Sequence, residues 1–97
     1  MGTYVLLTNF TEQGIRNVKE TTKRAEAFRE SARKMEVTVK DIYWTLGKYD
    51  VVSILEAPDE ATVTALCLNL GKTGNVRTQT LPAFSAAQMG KILSKVE

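Results

Sequence analysis

The chain has 97 residues, one cysteine and no histidine, and its 13 basic and 11 acidic side chains give a formal net charge of +2. A chain of this length predicts one domain, 1–97, with a modest core. The single cysteine excludes an internal disulfide, and the lack of histidine argues against the common zinc sites, so we expect no metal and no cofactor. The small net charge argues against nucleic-acid binding, which usually requires a larger, clustered basic excess.

The N-terminal residues do not form a signal peptide, because no basic segment precedes an apolar stretch. No run approaches the roughly 18 apolar residues of a membrane span. We therefore expect a cytoplasmic protein that contacts no membrane. Because neither disulfides nor a metal would support so small a core, self-association is the expected source of additional stability.

Three strands and one long helix are predicted in the first half of the chain. Residues 3–10 form a short run of β-formers with apolar side chains on both faces, which is typical of a central strand. Residues 11–35 place apolar side chains at steps of three and four, which predicts a single helix. Residues 37–46 and 49–56 have the composition of two further strands.

Gly47 and Lys48 lie between the second and third strands and predict a two-residue type II′ turn, with a four-residue loop as the alternative. The two-residue turn pairs Leu46 with Tyr49, and alternation then assigns every side chain of the hairpin to a face. The predicted helix-facing set is Ile42, Trp44, Leu46, Tyr49, Val51, Ser53 and Leu55, and the opposite set is Val39, Asp41, Tyr43, Thr45, Asp50, Val52, Ile54 and Glu56.

The second half of the chain predicts a helix, an edge strand and a terminal helix. Asp59 is a suitable N-cap for a helix that ends at Gly71 or Gly74. Residues 75–82 alternate less cleanly and end near a proline, which favours an edge strand. Ser85-Ala-Ala-Gln88 has the spacing of a capping box, so a third helix follows it.

These elements follow one another in the order βαββαβ, plus a C-terminal helix. The expected fold class is α+β, as a ferredoxin-like sheet of strand order 4-1-3-2, because that order places the two most apolar strands in the centre. Both main helices then cover one face of the sheet. The other face mixes apolar, acidic and hydroxyl side chains, which favours a homo-oligomer interface over a wet pocket or plain exposure.

Five blocks follow one another along the chain: Phe10-Thr-Glu-Gln-Gly-Ile-Arg16, Lys23-Arg-Ala-Glu-Ala-Phe28, Leu46-Gly-Lys-Tyr-Asp-Val-Val52, Glu56-Ala-Pro-Asp59 and Gly74-Asn-Val-Arg-Thr-Gln-Thr-Leu81. Together they resemble the GYD family of small bacterial and archaeal proteins, which is named after a glycine–x–tyrosine–aspartate motif. The resemblance implies a dimeric α/β-barrel architecture in which two ferredoxin-like sheets pack together. It implies no activity, since related barrels include cofactor-independent monooxygenases, isomerases and regulatory domains.

The candidate ligand-binding residues are Tyr49, Asp50, Arg77, Tyr43 and Thr45. In a functional interpretation, the Asp50 carboxylate accepts protons or hydrogen bonds from a ligand. In a structural interpretation, it bonds the turn amides or Thr45, and Tyr49 packs on Leu46.

Three interpretations of Arg77 are open. Its guanidinium binds a carboxylate ligand, forms a salt bridge with Asp50 or Glu56, or is exposed to solvent. Tyr43, with Trp44 and Tyr4, lines a pocket or packs in the core and interface.

Three hypotheses for the function follow. The leading one is a non-enzymatic homo-oligomeric module that binds a small organic ligand or acts through assembly. The alternative is a cofactor-independent enzyme of the isomerase or monooxygenase type, with a pocket near the hairpin of Tyr49 and Asp50. The third is a structural partner subunit, which requires an apolar patch beyond the dimer face.

Overall fold

The computed structural model describes the whole chain, residues 1–97. The strands are β1 (Gly2–Phe10), β2 (Thr38–Trp44), β3 (Val51–Ala57) and β4 (Val76–Ala83). The helices are α1 (Glu12–Arg16), α2 (Thr21–Lys34), α3 (Glu60–Gly71) and α4 (Ala86–Leu93), with a 3₁₀ turn at Val18–Glu20. None of the helices is long and apolar enough to span a membrane.

The four strands form one antiparallel sheet in the order β2-β3-β1-β4. This confirms the predicted strand order and the ferredoxin-like α+β class. β1 and β3 are the central strands, as their continuous apolar runs indicated. The same two strands therefore carry the side chains that reach both faces of the sheet.

The core lies between one face of the sheet and helices α2 and α3. Leu6 and Leu55 project from the central strands and are at most 1% exposed. They pack with Phe28 and Ala32 of α2, and with apolar residues of α3. Burial of such side chains is the main source of folding free energy.

A β-bulge in β2 changes the predicted face of Val39. Asp41–Trp44 pair with β3 in the predicted register, but the register shifts by one residue between Val39 and Asp41. The extra residue, Lys40, returns Val39 to the helix side, where it is 8% exposed and part of the core. The prediction that Val39 lies on the opposite face was therefore wrong, because a bulge reverses the alternation beyond it.

The predicted single helix over residues 11–35 is in fact divided into α1, the 3₁₀ turn and α2. Arg24 stabilises the break, since its guanidinium donates to the backbone oxygens of Asn17 (2.8 Å) and Gly14 (3.2 Å). Gly14 allows α1 to approach the start of β4, where an added Cβ would lie only 1.9 Å from the Asn75 carbonyl oxygen. A continuous helix would lose both contacts.

The opposite face of the sheet, here called the open face, has no helix packed on it. By alternation with the buried side chains, its members are Thr3, Val5, Leu7 and Asn9 of β1, Asp41 and Tyr43 of β2, Val52, Ile54 and Glu56 of β3, and Arg77, Gln79, Leu81 and Ala83 of β4. Tyr43 is 59% exposed and Leu81 is 40% exposed. This composition agrees with the predicted mixture of apolar and polar groups.

Helix α4 begins at the predicted capping box, in which the Ser85 and Gln88 side chains each bond the other's backbone N–H. Its apolar residues Met89 and Leu93 are 44% and 55% exposed, and Phe84 before it is 60% exposed. The helix is thus locally well defined but leaves its apolar stripe uncovered.

Candidate functional site

The loop between β2 and β3 carries the Gly47–Asp50 segment at one end of the sheet. The Thr45 N–H donates to the Asp50 carbonyl oxygen at 2.8 Å, which leaves the four residues 46–49 as the loop. The four-residue alternative is therefore correct and the two-residue turn is wrong. Gly47 has a φ of 128°, a conformation that a residue with a Cβ rarely adopts. Leu46 lies at the loop tip, fully exposed, rather than on the helix face as predicted.

Asp50 fixes the loop to the end of β1. Its carboxylate Oδ2 accepts a hydrogen bond from the Phe10 N–H at 2.9 Å, and its own N–H donates to the Thr8 carbonyl oxygen at 2.9 Å. The carboxylate replaces the backbone acceptor that Phe10 would otherwise find in a longer β3. Hydrogen bonds from an amide to a charged acceptor are stronger than neutral ones, so this contact holds the loop firmly.

Tyr49 extends across the open face to the far edge strand. Its hydroxyl donates to Gln79 Oε1 at 2.9 Å, and the Lys48 ammonium lies 5.7 Å from the centre of its ring. Gln79 belongs to the open face because it pairs with Leu7 of β1. The prediction that Tyr49 faces the helices was therefore wrong. Tyr49 belongs to the four-residue loop, so its side chain does not follow the alternation of β3.

Thr45 belongs to the same loop, and its hydroxyl donates to the Tyr49 carbonyl oxygen at 2.7 Å. Tyr43 lies on β2, and its hydroxyl reaches Asp41 Oδ1 at 3.4 Å. The structure thus brings Thr45, Tyr49 and Asp50 together in one hydrogen-bonded loop and leaves Tyr43 on the neighbouring strand.

Arg77 is exposed, and its position on β4 pairs with Asn9 of β1. It forms no ion pair with Asp50 or Glu56 within the chain, and Glu56 instead pairs with Lys40 at 3.6 Å. Because β4 is an edge strand, Arg77 also borders a groove of about 440 Å³ on the helix side of the sheet, beside α3, whose wall includes Cys67. It is therefore the candidate side chain with the greatest freedom to meet a partner.

The hydrogen bonds of Asp50 and Tyr49 are made to the chain itself. Such contacts fix the orientation of the loop at the end of the sheet. Sequence reasoning missed Gln79 as the partner of Tyr49, because the two residues are 30 positions apart and no local pattern relates them. No three acidic or cysteine side chains come close enough to hold a metal ion.

A ferredoxin-like domain with one open sheet face and a motif loop at its end defines the class of protein. The family model described as the GYD domain matches residues 4–93, and the chain belongs to that family. A relative from Thermus thermophilus, named "Glutamine synthetase and cystathionine beta-lyase binding protein", is 37% identical over 90 residues, which cover 92% of this chain and 95% of the relative. No solved structure gives a significant match.

Proposed function

We propose that this GYD domain, residues 1–97, is a homo-oligomeric binding module that associates through its open face and binds a metabolic enzyme as a protein partner. The observation that carries the proposal is a four-stranded sheet with helices on only one face. The solvated face of an antiparallel sheet commonly carries polar side chains. Here Val5, Leu7, Val52 and Ile54 supply apolar groups to its centre.

The size of the open face bears on how a second copy covers it. Four strands about 4.8 Å apart, with about 3.3 Å per residue along each, present a face of about 500 Å². Stable protein–protein interfaces bury about 800 Å² per partner, so the open face alone is small for that purpose.

Helix α4 supplies the additional apolar area. It follows β4 directly, and Leu81 of the open face and Phe84 before the helix are both exposed. Its stripe of Met89 and Leu93 is also exposed and lies within 12 residues of Leu81 along the chain. We infer that a second copy covers the open face together with α4.

The protein partner is inferred from the Thermus thermophilus relative, whose name states that it binds two enzymes. Identity of 37% across nearly the whole of both chains supports the same kind of partner for this chain. We therefore propose a glutamine synthetase or a cystathionine beta-lyase as the partner, and a cytoplasmic location where such a partner would be met.

A second function, as a cofactor-independent isomerase or monooxygenase, has less support. Such chemistry requires a side chain free to move a proton. Asp50 and Tyr49 instead bond Phe10 and Gln79 of their own chain. Small-ligand binding by Tyr49, Asp50, Arg77, Tyr43 and Thr45 remains a prediction. Of these five side chains, that of Arg77 is the least engaged in hydrogen bonds within the chain.

Partner binding is tested with purified glutamine synthetase and cystathionine beta-lyase from the organism that encodes this chain. Each enzyme is immobilised and the chain is titrated over it in biolayer interferometry. Saturable binding to either enzyme supports the proposal, and Val5→Lys, which places a charge in the open face, tests whether assembly is required. Thr22→Glu, on the exposed side of α2, is the matched control. Lack of binding to both enzymes overturns the proposed partner.

A further inference from the structure

A cavity of about 60 Å³ lies under α2, on the helix side of the sheet. Thr8 of β1 and Ser53 of β3 form part of its floor, and Trp44 and Thr21 lie at one end. The indole Nε1 of Trp44 donates to the Thr21 hydroxyl at 3.0 Å, which links the end of β2 to the start of α2. The cavity is therefore on the opposite side of the sheet from the proposed interface.

The two floor hydroxyls have no partner in the chain. Thr8 and Ser53 are 5% and 3% exposed, and neither side chain forms a hydrogen bond with another protein group. Every fully enclosed side-chain nitrogen or oxygen does have a partner, so these two oxygens must open into the cavity. Both hydroxyls are therefore available to bond a polar group that enters the cavity.

Arg24 is the only charged side chain that lines the cavity. Its guanidinium bonds two backbone carbonyls and lies 5.9 Å from the centre of the Phe10 ring, but no carboxylate pairs with it. The residue is half-buried, so its charge is less screened than that of a surface arginine. An anionic group entering the cavity would meet one cation, two hydroxyl donors and no acidic side chain.

A second, larger cavity of about 190 Å³, lined by residues of α2 and α3, adjoins the first. The two share Arg24, Phe28, Leu70 and Val76 as walls, so Arg24 lies at their junction. The shared walls other than Arg24 are apolar. This arrangement offers an apolar body one space and its charged end another, which is the usual composition of a small-molecule site.

We propose that these adjoining cavities bind a small carboxylic acid with an apolar body, whose carboxylate is held by Arg24 and the hydroxyls of Thr8 and Ser53. The site is separate from the open face and from the Tyr49–Asp50 loop. Its failure would leave the proposed assembly function untouched, and the converse also holds. Filling by water alone is the competing explanation, since a cavity of this size that contains polar groups can hold several waters.

The probe is 3-phenylpropionate, and the matched neutral compound is 3-phenylpropan-1-ol. Trp44 is the only tryptophan of the chain and lines the cavity, so its fluorescence reports on ligand entry. Amide chemical shifts of Thr8 and Ser53 in NMR titrations locate the binding. We expect saturable changes at millimolar concentration or below with the acid, and at least about fivefold weaker binding of the alcohol, because a charged hydrogen bond is lost.

Three variants distinguish a ligand site from a water-filled one. Thr8→Val and Ser53→Ala remove the unpartnered hydroxyls with little change in shape, and we expect each to weaken binding of the acid by about three- to tenfold. We also expect each to keep or raise the unfolding midpoint. Arg24→Gln should abolish the preference for the acid over the alcohol, whereas Arg16→Gln, outside both cavities, should leave it unchanged.

Any of three results overturns the proposal. The first is the absence of fluorescence and chemical-shift changes with 3-phenylpropionate. The second is equal affinity for the acid and the alcohol. The third is a lower unfolding midpoint for Thr8→Val or Ser53→Ala with unchanged affinity, which would assign the hydroxyls to structural water. Because the two hydroxyls are tested separately, one variant that fails to fold does not remove the test.

Discussion

The two faces of the sheet are built from the same strands but differ in how deeply their side chains are buried. On the helix side, Leu6, Leu55 and Leu66 are at most 1% exposed. On the open face, Leu81 is 40% exposed and Tyr43 59%. The helix side is a packed core, whereas the open face carries apolar groups that folding of one chain leaves in contact with water.

This difference separates stability from function in the molecule. Side chains on the helix side are fixed by packing within the chain, so a substitution there changes the free energy of unfolding. On the open face, the side chains of Tyr43 and Leu81 stay exposed, so they contribute less to the fold of one copy. Their apolar character therefore needs another explanation, and association is the one we propose.

The largest expected effect is that of a large-to-small change on the helix side. Leu66→Ala should lower the free energy of unfolding by about 2–5 kcal/mol, since it removes buried methyl groups and leaves a cavity. Leu81→Ala on the open face should cost less than about 1 kcal/mol when measured at a protein concentration low enough for the chain to be monomeric. Urea denaturation measures both. Equal costs would contradict the contrast between the faces.

Gly14→Ala should have the next largest effect on the free energy of unfolding. The new Cβ would lie 1.9 Å from the Asn75 carbonyl oxygen, so α1 must move away from β4. We expect a loss of about 2–3 kcal/mol, in the range of overpacked sites. Gly71→Ala is the matched control, because a Cβ there meets open space. If both variants unfold at the same urea concentration, the close approach of α1 is wrong.

Removal of the Asp50 carboxylate should have a smaller effect, confined to one end of the sheet. Asp50→Ala leaves the Phe10 N–H without its acceptor and should cost about 1–2 kcal/mol. Asp50→Asn keeps an acceptor oxygen and should recover about half of the loss. Hydrogen exchange at the Phe10 amide is the direct measurement. Unchanged protection in Asp50→Ala would show that the carboxylate does not hold the loop.

The smallest expected effect concerns the N-cap of α3. The backbone N–H of Thr62 donates to Asp59 Oδ1 at 2.7 Å, and this hydrogen bond lowers the pKa of the Asp59 carboxyl. A lowered folded pKa means that the cap stabilises fully above the ordinary aspartate pKa and is lost as the pH falls through the lowered one. Asp59→Asn should flatten that part of the stability–pH curve. If the free energy of unfolding of Asp59→Asn falls at acid pH as steeply as that of the natural chain, the Asp59 cap is not the cause.

The sequence predicts those parts of the fold that depend on local pattern. Strand order follows from the apolar runs of β1 and β3, and the caps at Asp59 and Ser85 follow from short-range chemistry. The missed features depend on contacts between distant residues. The break in the first helix depends on the contact of Gly14 with Asn75, which lies 61 positions later. The bulge at Lys40 has no local sequence pattern that predicts it.

The candidate site shows the same division. The loop residues Thr45, Tyr49 and Asp50 could be chosen from the motif, but the direction of Tyr49 depends on Gln79 across the sheet. The unpartnered hydroxyls of Thr8 and Ser53 have a signal in the sequence, since each occupies a core position in an alternating strand. That the two hydroxyls open into one cavity follows only from the fold.

The association of two copies through the open face is the central claim, and the mass in solution tests it most directly. The chain has a mass of 10.8 kDa. Light scattering coupled to size exclusion at micromolar concentration should give at least twice that mass for the natural chain and the monomer mass for Val5→Lys, with Thr22→Glu unchanged. A monomer mass for the natural chain, or an oligomer that survives Val5→Lys, would contradict the account.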